Sequence, residues 1–162
     1  MNTAALPESA ARVAQCLREL GHPHAIVMLP ASGKTSAEAA AGLGCEVAQI
    51  AKSIVFRRQA DDAAVMVIAS GRNRVDEAKV SALVGPLSKA NAEFVRSKTG
   101  YAIGGVCPVG HPQQNVILID EDLQHYGQIW AAAGHPHAVF PLNCQELQQL
   151  TGAPVVDIAL RE

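Results

Sequence analysis

Apolar positions recur along the chain in two rhythms. Between Glu8 and Leu20, Val13, Leu17 and Leu20 fall at three- and four-residue steps with Gly21 behind them, which predicts an amphipathic helix with a glycine stop. HAIVML (His24 to Leu29) is too short and too apolar for a helix and reads as a buried strand. Thr35 and Glu38 have capping-box spacing ahead of an alanine-rich run ending at Gly42 or Gly44, and EVAQIA adds a helical turn. KSIVFR (Lys52 to Arg57) and AAVMVIAS (Ala63 to Ser70), separated by a polar turn with Asp61 and Asp62, predict an antiparallel hairpin. Asp76 and Asn91 stand where they can cap VDEAKVSALVG and AEFVRSKTG. NVILID (Asn115 to Asp120), GQIWAAA and HAVF read as further strands. Asn143 and Glu146 repeat the capping-box spacing before a short helix closed by Gly152, and VVDIAL reads as a last strand.

These elements predict an α/β chain of the α+β type, a single domain over residues 1–162 with a mixed, largely antiparallel sheet flanked by helices. An apolar content of 49% over 162 residues is enough for one core. GHPH occurs at Gly21 and again at Gly134, but each copy leads from one element into a strand, so the repeat reads as two similar turns.

Charge and cysteines narrow the partners. A net charge of -2 gives no overall basic field, so contact with RNA must rest on a local patch. Cys16, Cys45, Cys107 and Cys144 are scattered without a C-x-x-C, which fits reduced thiols in a cytoplasm. The N-terminal residues have no basic stretch followed by an apolar run, and no segment reaches the ~20 apolar residues of a membrane span. A soluble cytoplasmic protein without membrane or DNA partners is expected.

Several motifs fail on inspection. ASGKTS resembles the tail of a phosphate-binding P-loop, but the pattern needs a glycine five positions before Gly33, where the chain has Met28. Lys34 then reads as a solvated loop charge or an RNA contact. His22/His24 and His135/His137 suggest metal ligation, yet each pair encloses a proline at an element junction and no third ligand stands at recognisable spacing. No G-x-S-x-G elbow or cysteine-protease signature is present. No metal, cofactor or covalent nucleophile is expected.

Two features remain. Lys52 opens an otherwise apolar strand, where it either holds a phosphate at the sheet edge or simply snorkels to solvent. GYAIGGVCPVGH (Gly100 to His111) packs four glycines and a proline into one loop. Gly104, Gly105 and Gly110 would let a ligand reach main-chain groups while Pro108 stiffens the loop; alternatively the loop is only a tight connection.

On AKSIVFR and KTGYAIGGVCPVGH the chain resembles the YbaK/ProX-type aminoacyl-tRNA deacylases, free-standing relatives of the editing domain of bacterial prolyl-tRNA synthetase. The likeness includes the lysine strand and the G-x-x-x-P loop, here Gly104 to Pro108, and extends through NVILID to VVDIAL. It implies hydrolysis of the ester joining a wrong amino acid to the 3′ CCA end of a tRNA, typically proline tRNA carrying a smaller residue. Prolyl-tRNA synthetase or another translation factor is an implied partner. The resemblance maps Lys52 onto the terminal adenosine and its phosphate, and Gly104, Gly105 and Pro108 onto the aminoacyl group. Tyr101, Val106, Cys107, Gly110 and His111 fall along the same substrate-binding segment. No protein nucleophile is required, because a positioned water can attack an ester, with main-chain amides facing the developing oxyanion.

Asp120 falls where family members often carry an acidic residue; it either meets the substrate's ammonium or a water, or caps the following turn. His111 is a general-base candidate or a polar loop residue, and Cys107 packs as a small hydrophobe without a catalytic role. Met28 and Leu29, where cysteinyl-type deacylases carry an aromatic or histidine-rich segment, are expected to form an apolar wall favouring alanine or 2-aminobutyrate over cysteine or serine. Arg57, Arg58, Arg72, Arg74, Lys79, Lys89, Arg96 and Lys98 are available either for tRNA phosphates or as a solvated surface. Two other functions fit the same residues: a non-catalytic module that binds a tRNA 3′ end or a synthetase, and a small-molecule hydrolase.

Overall fold

Local chemistry sets where the helices begin and end in the computed structural model, which describes residues 6–23, 25–30 and 35–161. Helix α1 (Glu8–Glu19) buries Ala10, Val13 and Leu17 on one side. Helix α2 (Ser36–Leu43) starts in a capping box: the Thr35 hydroxyl accepts from the Glu38 amide at 3.1 Å and the Glu38 carboxylate accepts from the Thr35 amide at 3.3 Å. Asp76 caps α3 (Glu77–Val84), Asn91 caps α4 (Ala92–Thr99), and Asn143 with Glu146 forms the box of α5 (Cys144–Thr151). Gly44, Gly100 and Gly152 end α2, α4 and α5 in the left-handed conformation.

The strands are β1 (Val27–Met28), β2 (Ile50–Arg58), β3 (Ala64–Ser70), β4 (Leu87–Lys89), β5 (Val116–Asp120), β6 (Ile129–Ala132), β7 (Ala138–Leu142) and β8 (Val155–Val156). They lie in the order β1-β7-β6-β2-β3-β5-β8, with β4 also paired to β2. The hairpin β2/β3 is antiparallel, as are β1/β7, β6/β7 and β2/β4; β2/β6, β3/β5 and β5/β8 are parallel. The mixed sheet with flanking helices matches the architecture expected from the sequence.

Details differ from the sequence pattern at the sheet margins. Only Val27 and Met28 of HAIVML pair, with Val139 and Ala138, and His24 lies outside the described residues. VVDIAL contributes two residues to the sheet before Ala159 bridges to Val75. EVAQIA makes a 3₁₀ turn at Val47–Gln49 and then becomes strand at Ile50. The short β4 follows Pro86 without an alternating pattern to announce it.

Every residue of β3 is buried. Met66 and Ile68 face a cluster that includes Val13, Leu17, Val95 and Leu147, whereas Val65, Val67 and Ala69 face Val80 and Ile158. A strand covered on both faces has no polar side, which is why AAVMVIAS is continuously apolar. Leu29, Ala39, Ala40, Ile50 and Val139 form a smaller cluster that seats α2 on the sheet. Among the described residues no helix is long and apolar enough to cross a membrane.

One feature of the sheet creates the site. Strand β3 covers one edge of β2, but the other edge is shared: β6 takes Ile50 and Ala51, and β4 takes Phe56 to Arg58. Among the described residues, no strand pairs with that edge between Ala51 and Phe56.

Candidate functional site

Where β2 and β6 diverge, a cleft of about 570 Å³ opens. Lys52, Ser53 and Ile54 of β2 form one wall, and Trp130 and Ala132 of β6 with His135 and Pro136 of the next turn form another. Ile103, Gly104 and Val106 of the glycine loop and Thr35 and Ser36 at the start of α2 complete the lining.

The hydrogen-bond phase of β2 fixes which main-chain groups face this cleft. The Arg58 amide donates to Ala63 O at 2.8 Å and the Gly71 amide to Ile50 O at 2.7 Å. Even-numbered residues of β2 therefore point their main-chain groups toward β3, and Ser53 points its N–H and C=O toward the open edge. The buried Ser53 Oγ also has no hydrogen-bond partner among the described residues. A polar group left in this state is costly unless a ligand or water satisfies it.

The Lys52 ammonium donates to Gly71 O at 3.4 Å. Burial pushes its pKa below the ordinary lysine value; the Asp120 carboxylate opposes that shift and the Arg74 guanidinium adds to it. Gly71 is the contact point of three elements. A Cβ there would collide with the Val47 carbonyl oxygen and lie 2.8 Å from Ser36 Cβ, so the first turn of α2, the exit of β3 and the lysine meet only around a glycine.

On the opposite wall, His135 Nδ1 accepts the His137 amide at 3.1 Å, so the neutral ring carries its proton on Nε2. The described lining residues include no carboxylate and no thiol; the titratable side chains are Lys52 and His135. The described lining can thus hold an anion and offer hydrogen-bond donors, but it presents no activated nucleophile.

The glycine loop divides its residues between two tasks. Gly104 and Val106 line the cleft, Gly104 with φ 96°. Gly105 lies behind them: a Cβ on it would stand 2.9 Å from His135 N, so it is glycine because the 134–135 main chain rests on it. A Cβ on Gly110 would lie 2.5 Å from the Tyr101 hydroxyl. Tyr101 is buried and donates to Val109 O at 2.6 Å, and burial raises its pKa. Cys107 is fully buried and its thiol is pushed up to about 12, which suits packing and not nucleophilic attack. Pro108, Gly110 and His111 line a separate depression beside Cys16 and Asn115. There the Asn115 amide donates to His111 Nδ1 at 2.9 Å and His111 Nε2 donates to Cys107 O at 2.7 Å, leaving a neutral imidazole as a loop brace.

Of the residues expected to share a site, the fold brings Lys52, Gly104 and Val106 into one cleft. Tyr101, Cys107, Pro108, Gly110 and His111 are placed outside its lining, as are Met28 and Leu29. The β1/β7 register turns Leu29 into the cluster under α2 and Met28 toward the main core. Asp120 is fully buried and accepts from the Ser70 amide at 3.0 Å, the Asn73 amide group at 2.9 Å and the Asp122 amide at 2.9 Å. That is the turn-cap alternative. Ser53, Trp130 and His135 line the cleft without having been singled out for it. The serine that interrupts an apolar strand directly after Lys52 was the available signal; His135 drew notice only as half of a histidine pair. Among the described residues no three His, Cys, Asp or Glu side chains are grouped to hold a metal, and residues 31–34 of the P-loop-like segment, Lys34 among them, lie outside the described residues.

Comparison with known proteins converges on one family. Residues 30–150 match the model of the aminoacyl-tRNA editing domain. The uncharacterized protein YwhH of Bacillus subtilis is 28% identical over 125 residues, covering 76% of this chain and 79% of YwhH. A proline--tRNA ligase of Limosilactobacillus fermentum is 36% identical over 102 residues, 60% of this chain but only 18% of the ligase. The crystal structure of a candidate trans-editing enzyme for prolyl tRNA synthetase superposes with a TM-score of 0.91 at 45% identity, covering 97% of this chain and all of the other. Hypothetical protein APE2540 superposes with a TM-score of 0.85 at 29% identity, covering 92% and 99%.

Proposed function

The chain belongs to the aminoacyl-tRNA editing domain family, and we propose that it hydrolyses the ester of a small amino acid wrongly attached to the 3′ end of a tRNA, proline tRNA foremost. The observation that carries this reading is the cleft at the open edge of β2, lined by Lys52, by Ser53 with its main-chain N–H and C=O turned to the unpaired edge, and by Gly104, with no carboxylate or thiol among the described lining residues. Lys52 holds the phosphate of the terminal adenosine, beside the first turn of α2. Ser53 and Gly104 hold the aminoacyl group. A water oxygen attacks the ester carbonyl carbon, the bond from that carbon to the ribose oxygen breaks, and the ribose oxygen leaves with a proton as the tRNA hydroxyl. The amino acid departs as a free carboxylate, and the second proton of the water passes to solvent. Positioning of water and ester supplies much of the acceleration, and main-chain N–H groups at the open edge face the developing oxyanion.

The expected Met28–Leu29 wall does not support the amino-acid preference, because neither residue lines the cleft. Val106, Ala132, Ala138 and Val139 supply small aliphatic surface in its place, which favours alanine or 2-aminobutyrate over serine or cysteine. One methylene in such a pocket is worth only ~1–3 kcal/mol, so neighbouring substrates overlap.

The test is a panel of proline tRNAs charged with alanine, 2-aminobutyrate, cysteine, serine or proline. Release of the small aliphatic amino acids ahead of proline is expected. The absence of a carboxylate from the described lining also suits a non-catalytic tRNA-end binder. Binding without release of any amino acid in single turnover would establish that second reading in place of the first.

A further inference from the structure

The segment leaving β3 has chemistry that the cleft does not use. We infer that the turn Gly71–Arg74 is a phosphate-binding rim for the single-stranded RNA backbone just upstream of the nucleotide in the cleft, with Arg72 and Arg74 as its ligands. This rests on the preceding reading in taking RNA as the molecule that enters and Lys52 as the group that holds its terminal phosphate.

Continuity places the rim. Gly71 lines the cleft, accepts the Lys52 ammonium through its carbonyl, and is also the first residue of the turn. A strand whose terminal phosphate sits at Lys52 therefore leaves past Arg72 and Arg74. Both side chains are exposed, and neither is ion-paired with a carboxylate among the described residues. Three of the other cations are committed, Arg57 to Asp62, Arg58 to Asp61 and Lys79 to Asp157. The carboxylates that hold the turn are committed too. Asp120 is buried against Ser70 and Asn73, and Asp122 pairs with Arg161 at 2.9 Å while accepting from Asn73 at 2.8 Å.

Rigidity is the second argument. The Asn73 amide donates to Ser70 O at 2.9 Å and the Leu160 amide to Arg74 O at 2.8 Å, so the turn is fixed at both ends before any ligand arrives. A pre-set turn spares the ordering entropy of a mobile loop. With a net charge of -2, such a local patch is the means by which this chain would attract a polyanion. The rival path is a groove beyond the His135–Pro136 ridge lined by Arg12 and Arg96, but Glu8 sits in it and Lys52 does not.

The experiment is a salt series of binding isotherms, by fluorescence anisotropy, with a non-aminoacylated RNA oligonucleotide ending in CCA. Loss of two single-strand phosphate contacts in Arg72→Gln/Arg74→Gln should flatten the log K against log salt slope by about 1.4 and weaken binding roughly tenfold near 0.1 M salt. Arg12→Gln/Arg96→Gln should keep the wild-type slope. A wild-type slope in the first variant, or flattening in the second alone, overturns the rim, as does a wild-type chain that fails to bind the RNA. No ester is broken in this assay, so the two ideas fail separately. Binding through the rim without deacylation leaves the rim and removes the activity, whereas deacylation with an unchanged slope does the reverse.

Discussion

The Lys52 ammonium lies 3.4 Å from the carbonyl oxygen of Gly71, which ties the start of the β2/β3 hairpin to the turn that leaves it. Burial lowers the Lys52 pKa, so the folded chain binds this proton less readily than the unfolded chain. The resulting penalty is fully present below the folded pKa and disappears only as pH rises past the ordinary value of 10.5. Lys52→Met should therefore melt at or above the wild-type temperature at neutral pH while losing affinity for an anionic ligand by roughly 100-fold. A lower melting temperature would show the ammonium to be a net structural prop.

Ser53 separates binding from stability in the opposite direction from a core residue. Its hydroxyl has no partner among the described residues, so Ser53→Ala should hold stability within about 0.5 kcal/mol of wild type or raise it. Deacylation should fall roughly tenfold in kcat/KM, the worth of one hydrogen bond. The chain's single tryptophan, Trp130, lines the same cleft and reports ligand entry by its fluorescence. Unchanged kcat/KM in Ser53→Ala would remove the Ser53 hydroxyl from the site.

Asp120 is assigned to holding the Ser70–Asn73 turn. Asp120→Ala strands a buried main-chain N–H and should cost about 3 kcal/mol in urea denaturation, with Asp120→Asn intermediate. Full stability combined with abolished turnover in Asp120→Asn would return this residue to the chemistry.

His111 makes stability depend on pH. Burial lowers its pKa from 6.5, and in the fold its Nδ1 is an acceptor, so the folded chain refuses a proton that the unfolded chain takes. Stability contributed by the neutral ring is fully present above 6.5 and is lost as the pH falls toward the folded pKa. Thermal midpoints of wild type should drop more between about pH 7.5 and pH 5 than those of His111→Gln. Parallel curves would contradict the assignment.

How much of this was legible beforehand followed how local the cause was. Thr35, Asp76, Asn91 and Asn143 could be read as caps because the groups they bond lie two or three residues away. The β2/β3 hairpin was equally plain, since turn and strands are contiguous. The cleft was not, because it exists only where β6 parts from β2, and no pattern near Ser53 predicts what Trp130 or His135 will do. The glycine loop was half-legible. Its glycines do permit close approach, but Gly105 admits the chain's own 134–135 backbone and Gly110 admits Tyr101, leaving Gly104 for the cleft. Met28 and Leu29 were apolar for the interior, a fate decided by pairing with a strand over a hundred residues away.

The most direct measurement is single-turnover release of alanine from alanyl-tRNA of the proline type, followed with wild type and Lys52→Ala side by side. Wild type should release alanine well ahead of the uncatalysed ester, and the variant, folded and with an unchanged melting profile, should be slower by roughly 100-fold. Equal rates in the two proteins, or no release by wild type, would contradict a deacylase built on Lys52 and the open edge of β2.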